Sequence, residues 1–248
     1  MAVLVIEHSP ATNAERLAQT LNNYGNRLRY VKLHENNSLP GDLDDVDAVI
    51  TCGGPQSAYD DSLPWLQAEC ALLKQAHEKS LPIIGLCLGS QVLARALGGA
   101  VEKMPGGAEI GWHELKLTPA GREDPLHAGI AWQSMQLHWH ADHVSKLPPG
   151  ARLLASSKKC TTQAWAIGLR TYGFQHHPEV TLPTFRSWID QEPQKFKDAG
   201  NSLDEFNRQC EELFPAFERL SQRLFEAIAL FLMPVDRRYH GAVKDLHH

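Results

Sequence analysis

The chain is 248 residues long, with 24 basic and 29 acidic residues and a formal net charge of −5. That length suits one large α/β domain, or a domain with a modest appendage, and it buries enough surface to need no staples. There is no long charge run to track a phosphate backbone, the five scattered cysteines hold no C-x-x-C pair, and no segment approaches the ~20 apolar residues of a membrane span.

The first residues, MAVLVIEHSP, lack a basic n-region, and their apolar run is too short for a signal peptide. With cysteines that suit a reducing compartment, this makes a cytoplasmic protein the expectation, with neither nucleic acid nor membrane as partner. Ala2 to Glu7 reads as a buried first strand, and Asn13 to Tyr24 as a helix stopped by Gly25. Arg27 to Leu33 alternates like a strand nearer an edge, and Asp47 to Thr51 is a third strand running into Cys52-Gly53-Gly54-Pro55. A helix from about Pro64 to Lys79 leads into the short apolar strand Pro82 to Leu86. From Gln91 the spacing turns helical until Gly98-Gly99. Strand–helix alternation of this kind builds a mostly parallel sheet flanked by helices.

After Gly99 short alternating runs follow at Trp112–Leu117, Gln133–Trp139, Ala151–Ser156, Gln163–Ile167 and Thr171–Gln175. They suggest antiparallel strands, some extending the main sheet and some forming a small second layer. From Glu179 the chain is mostly helical, near Leu182–Asp190, Leu203–Phe214 and Ala216–Leu232. A polar tail, RRYHGAVKDLHH, is expected to be loosely held.

Gly85-Leu86-Cys87-Leu88-Gly89 sits at the corner between a strand and a helix. Such a corner holds its central residue in strained backbone and needs small neighbours, the arrangement of a nucleophile elbow. It also places the Cys87 sulfur at a helix N-terminus, where unpaired N–H groups and the dipole favour a thiolate. A thiolate nucleophile needs a base and a group to orient it. His177 precedes a proline, so it stands in extended backbone where a strand ends, and Glu179 is within reach of its ring. The oxyanion formed on attack needs N–H donors. Leu88, the residue after the nucleophile, supplies one, and the Gly53-Gly54-Pro55 loop brings a second stretch of backbone close to a substrate. His176 reads as a structural neighbour.

Gly85-Leu86-Cys87-Leu88-Gly89-Ser90-Gln91, Gly53-Gly54-Pro55 and His177-Pro178-Glu179 together resemble the class I glutamine amidotransferase domains of the cysteine–histidine–glutamate type. Glu109-Ile110-Gly111-Trp112, His138-Trp139-His140-Ala141-Asp142 and Ala155-Ser156-Ser157 are similar to the GMP-synthase-like branch. The resemblance covers about residues 1–185, which leaves 186–248 as a helical extension packed on the same domain. It implies a flavodoxin-like α/β fold, an open, mostly parallel sheet with a small antiparallel sheet and a helical tail. It also implies hydrolysis of a γ-carboxamide through a γ-glutamyl thioester, without cofactor or metal. Cys87 would be nucleophile, His177 base and then acid, and Glu179 its orienter, with Gly54 and Leu88 as oxyanion donors. Gln91 would contact the bound glutamine, beside Gly53, and Trp139 and His140 would hold its amino-acid end. The family usually has an aromatic residue where His176 stands and often serine where Trp139 stands.

Amidotransferases pass ammonia to a synthetase, yet residues 186–248 carry neither G-x-x-x-x-G-K-[ST] nor G-x-G-x-x-G. The expectation is therefore either a glutaminase subunit with a separate synthetase or acceptor partner, or a free-standing hydrolase of γ-glutamyl compounds. Two other readings belong to different classes. His138, His140, Asp142, His143, His176 and His177 are dense enough in imidazole to hold zinc. The elbow could also serve a non-enzymatic interaction or redox-sensing protein.

Overall fold

A computed structural model describes residues 2–235. The tail from Arg237 onward lies outside the described residues. In β1 (Ala2–Glu7), Val3 and Val5 face one core while Leu4 and Ile6 face the other, as the two-residue period of a strand covered on both sides requires. The strand–helix alternation continues with α1 (Glu15–Asn23), β2 (Leu28–Lys32), β3 (Val46–Thr51), α2 (Leu66–Glu78), β4 (Ile83–Leu86) and α3 (Leu88–Ala96). Next come β5 (Ala100–Lys103), β6 (Glu109–Leu117), the short α4 (Pro119–Arg122), β7 (Gln133–His140) and β8 (Asp142–Lys146). β9 (Arg152–Ser157), β10 (Ala164–Ile167) and β11 (Thr171–Phe174) complete the strands. α5 (Leu182–Gln191), α6 (Pro193–Asp198) and α7 (Leu203–Ala227) follow, and α7 ends in a π-helical turn, Ile228–Leu232.

Nine strands form one sheet in the order β2-β1-β3-β4-β11-β10-β9-β6-β7. β2, β1, β3, β4 and β11 are parallel, and β10, β9, β6 and β7 continue the sheet antiparallel. The small second sheet exists, but it pairs β5 with β8 rather than any of the runs singled out in the sequence. These two strands are short and half exposed, with Val144 their one fully buried apolar side chain, so they carry no alternation to read. α3 begins at Leu88, earlier than the helical spacing from Gln91 suggests. Its first turn, Leu88, Gly89 and Ser90, is buried whole and shows no amphipathic pattern.

α1 and α7 cover one face of the sheet, where Leu17 and Leu21 meet Leu224, Phe225 and Ile228 over Val3 and Val5. α2 and α3 cover the other, with Leu73 and Val92 against Leu4 and Ile6. A third core beneath β6 and β7 joins Ile110 and Trp112 to Phe185, Phe196, Phe206 and Phe217 of α5, α6 and α7. Each of these fully buried phenylalanines contributes roughly 1.5–3 kcal/mol of hydrophobic stabilisation. Thr181 caps α5 by accepting from the Thr184 N–H, and Ser202 caps α7 by accepting from that of Glu205. Where the sequence reads two helices around Pro215, α7 runs straight through it. No helix among the described residues is long and apolar enough to cross a membrane.

Candidate active site

In a parallel sheet the loops after each strand emerge at the same carboxyl edge, and ligands bind there. β1, β3, β4 and β11 are mutually parallel neighbours, so residues 8–14, 52–56, 87 and 175–180 converge. Between them opens a cavity of about 340 Å³, lined by Thr12, Gly54, Cys87, Leu88, Gln91, Trp139, His140, His177 and others.

Cys87 caps α3 with φ 49° and ψ −106°, left-handed backbone that costs a non-glycine residue on the order of 1–3 kcal/mol. Its own N–H is held by the Phe174 carbonyl at 2.7 Å and its carbonyl accepts from the Gln91 N–H at 3.2 Å. The flanking glycines answer to close packing. A Cβ on Gly85 would lie 2.8 Å from the Gly89 carbonyl group, and one on Gly89 would collide with the carbonyl of Thr51. The elbow is thus wedged against β3, and the Gly89 N–H donates to the Cys52 carbonyl at 3.0 Å. Leu88 is the first residue of α3, so its N–H has no intrahelical acceptor.

His177 Nδ1 lies 2.7 Å from Glu179 Oε1, both side chains almost wholly buried. Burial works to lower the His177 pKa. The Glu179 carboxylate, the Cys87 sulfur and hydrogen bonds to both outweigh it and push the value well above that of an ordinary histidine. Trp188 of α5 packs edge-on to the His177 ring at 4.9 Å and donates its indole N–H to the Ala11 carbonyl at 2.8 Å. Gly53 lies behind the cavity. A Cβ built on it would be 3.4 Å from His177 Cε1 and 3.6 Å from Cys87 Cβ, and one on Gly54 would be 2.7 Å from Leu88 Cδ2. The structure therefore brings together Cys87, His177, Glu179, Gly53, Gly54 and Leu88.

Gln91 is buried and donates to the Asp142 carbonyl at 3.2 Å and to Gln175 Oε1 at 3.1 Å. Gln175, unnoticed in the sequence, also points its amide N–H at Cys87 Sγ from 3.6 Å. Its place next to His176-His177 was the only sequence signal. The Trp139 carbonyl faces Cys87 Sγ at 3.8 Å. Its ring turns the other way, packing against Phe185, Trp188 and Phe196. α5 and α6 close one side of the cavity with Trp188, Gln191, Glu192 and Lys195, residues that belong to no sequence motif. Across from them the Asp142 carboxylate is oriented by Ser57 at 2.7 Å and Tyr59 at 3.2 Å.

The histidine-rich stretch separates into different jobs. His140 hydrogen-bonds the Asp142 carbonyl at 3.0 Å and Glu109 Oε2 at 3.1 Å. His176 is buried with Nδ1 3.4 Å from the Gln163 carbonyl, and burial, against that bond, drives its pKa down to about 3. Among the described residues, Glu109, His138 and His140 form the one group whose ligand atoms lie close enough for a metal ion, all within 4.8 Å of one another. Asp142 and His143 are not part of it. The Glu109 carboxylate is already engaged by His140, by Ser157 at 2.7 Å and by Gln163 at 2.6 Å. Within that group only the His138 ring makes no hydrogen bond, its Nδ1 standing 3.5 Å from Glu109 Oε2.

Below the cavity a second buried pair joins three elements. His8 Nε2 meets Glu69 Oε2 at 2.8 Å, Thr51 donates to the other Glu69 oxygen at 2.6 Å, and His8 Nδ1 lies 3.1 Å from the Cys52 carbonyl. Burial works to lower the His8 pKa, but Glu69 and the Cys52 and Gly53 carbonyls outweigh it and raise the value overall.

The family model for class I glutamine amidotransferases matches residues 8–192. The chain is 32% identical to the glutamine amidotransferase-like protein YfeJ of Salmonella typhimurium over 80% of its own length and 84% of that protein. It is 35% identical to the GMP synthase of Clostridium novyi over 56% of this chain, and spans only 25% of that longer enzyme. Gamma-glutamyl peptidase 3 of Arabidopsis thaliana is 28% identical over 60% of this chain and 61% of its own. The crystal structure of a glutamine amido transferase from Methylobacillus flagellatus superposes with a TM-score of 0.82 at 27% identity, covering 91% of this chain and 92% of that one. Motif order, sheet topology and these likenesses agree: the chain belongs to the class I glutamine amidotransferase family.

Proposed function

We propose that this chain is a cysteine amidohydrolase that cleaves the γ-carboxamide of glutamine, or of a γ-glutamyl amide, through a thioester on Cys87. Residues 1–185 supply the glutaminase core in this reading, and residues 186–248 a helical extension that packs on it. The observation that carries it is the convergence of a strained cysteine at the start of α3 with the buried His177–Glu179 pair on one cavity.

The steps follow from the groups present. The Cys87 thiolate attacks the γ-carbonyl carbon, and the carbonyl electrons move to oxygen, where the Gly54 and Leu88 N–H groups receive the charge. His177, charged through Glu179 and Cys87, gives its proton to the departing nitrogen, so ammonia or an amine leaves and the γ-glutamyl thioester remains. The now neutral imidazole takes a proton from water, hydroxide adds to the thioester, and glutamate leaves as the thiolate–imidazolium pair is restored. Gln91 and the backbone of Trp139 and His140 orient the substrate, and the Asp142 carboxylate faces the cavity as counter-charge for an α-ammonium group.

A γ-glutamyl peptide is the second substrate class that the cavity favours. Its volume of about 340 Å³ falls within the range that takes drug-sized ligands, and Lys103 and Lys195 on its lining offer cations to a carboxylate beyond the γ-glutamyl unit. The likeness to gamma-glutamyl peptidase 3 supports it. The purified chain is to be assayed against glutamine, γ-glutamyl peptides and γ-glutamyl amines. Cys87→Ala and His177→Ala are each expected to lower turnover about 10⁴-fold or more. Wild-type rates in either variant would overturn the proposal.

A further inference from the structure

The loop after β3 has the composition of a loose turn, yet its carbonyls are tied down peptide by peptide. The Cys52 N–H donates to the Ile6 carbonyl at 2.9 Å, and the Cys52 carbonyl accepts from the Gly89 N–H at 3.0 Å and from His8 Nδ1 at 3.1 Å. The next carbonyl, that of Gly53, accepts from the Thr12 hydroxyl at 2.7 Å. A trans peptide points its C=O and N–H in opposite directions. Fixing the Gly53 carbonyl on Thr12 therefore fixes the Gly54 N–H on the other side. This is the peptide whose orientation matters most and resists flipping least, because glycines flank it on both sides and adopt either sign of φ at little cost. A flipped peptide would remove a donor from the cavity and aim a carbonyl oxygen at the incoming oxyanion. Besides Thr12, the buried His8 ring also reaches the Gly53 backbone, from beneath the loop.

We propose that the Thr12 hydroxyl is the latch that keeps the Gly53–Gly54 peptide in its donating orientation, so that the oxyanion hole is assembled in the lone chain and hydrolysis needs no partner protein. The proposal rests on the reading of Cys87 as nucleophile and Gly54 as oxyanion donor. It chooses the free-standing hydrolase over the subunit that waits for a synthetase. Thr12 is a positioning residue: it touches neither the scissile bond nor the sulfur, and it acts through the backbone of the next loop. Its methyl and hydroxyl can be separated by substitution. Valine keeps the shape and the β-branch but loses the donor, while serine keeps the donor and loses the methyl.

The test uses the purified full chain alone, with whichever γ-glutamyl substrate it turns over. Thr12→Val is expected to lower kcat at least tenfold with KM within about twofold, because the latch serves charge that appears only after attack. Thr12→Ser should restore most of kcat. Alkylation of Cys87 by iodoacetamide, which forms no oxyanion, should proceed at the wild-type rate in both variants and report an intact elbow. A Thr12→Val enzyme with kcat within twofold of wild type, or a Thr12→Ser enzyme as slow as Thr12→Val, overturns the latch. A wild-type chain that is alkylated at Cys87 yet hydrolyses no γ-glutamyl compound until another protein is added overturns partner independence. Failure of the underlying reading looks different: turnover would then survive Cys87→Ala.

Discussion

Burial alone disfavours a charged imidazole, and adjacent residues of this chain resolve that conflict in opposite ways. His177 has Glu179 at 2.7 Å and stays charged well above the ordinary histidine pKa; His176 has only a backbone carbonyl at 3.4 Å and is neutral until about pH 3. The signs of their stability effects differ accordingly. The His177 contribution is present below the unfolded pKa of 6.5 and is lost as pH rises through its folded value. For His176 the unfolded chain takes up the proton first, so stability is full above 6.5 and falls as pH drops toward about 3. Replacing His176 by phenylalanine, a ring of similar shape that takes up no proton, should flatten the decline in melting temperature between pH 6.5 and 4. An equally steep decline in His176→Phe would show that this imidazole is not the group being protonated. The sequence made Cys87, His177 and Glu179 legible because each sits in a short motif whose residue types have a chemical reason. It hid Thr12 and Gln175, which act through one hydrogen bond across 41 and 88 positions of chain respectively, a relation no local pattern records.

Elements were legible where burial is periodic and obscure where it is not. β1 and β3 stand out as apolar runs, whereas β5 and β8 are half exposed and became strands only through each other. The reverse error arose at Pro215, where a proline argues for a break but α7 continues. Phe206 and Phe217, on either side, are both fixed in the third core, so packing overrides the local cost. Pro215 and Glu211, the residue whose carbonyl loses its helical donor, are both exposed. Some of the proline penalty should therefore be recoverable. Pro215→Ala is expected to raise the unfolding free energy by about 1–3 kcal/mol, read as a higher urea midpoint at unchanged slope. A midpoint that stays put or falls would mean that the helix gains from the proline ring what it loses in the bond.

For the whole molecule, the order of strands does more than any single motif to make a site. Four parallel strands end at one edge, and each delivers one part: Thr12 after β1, Gly53 and Gly54 after β3, Cys87 after β4, His177 and Glu179 after β11. The parallel half of that sheet was readable from alternating strands and helices. The cover provided by α5 and α6 was not, because Trp188 and Lys195 reach the cavity through tertiary packing alone. Those helices line one side of the cavity, while the proposed chemistry rests on the Cys87 sulfur. The most direct measurement is therefore to mix the wild-type chain with a substrate it turns over, quench in acid within a few turnovers and map the peptides by mass. A γ-glutamyl adduct confined to the peptide bearing Cys87, and lost in Cys87→Ala, is the expected result. An adduct on Cys52 or Cys160, or steady turnover with no adduct at Cys87 in repeated quenches, would contradict a mechanism through this elbow.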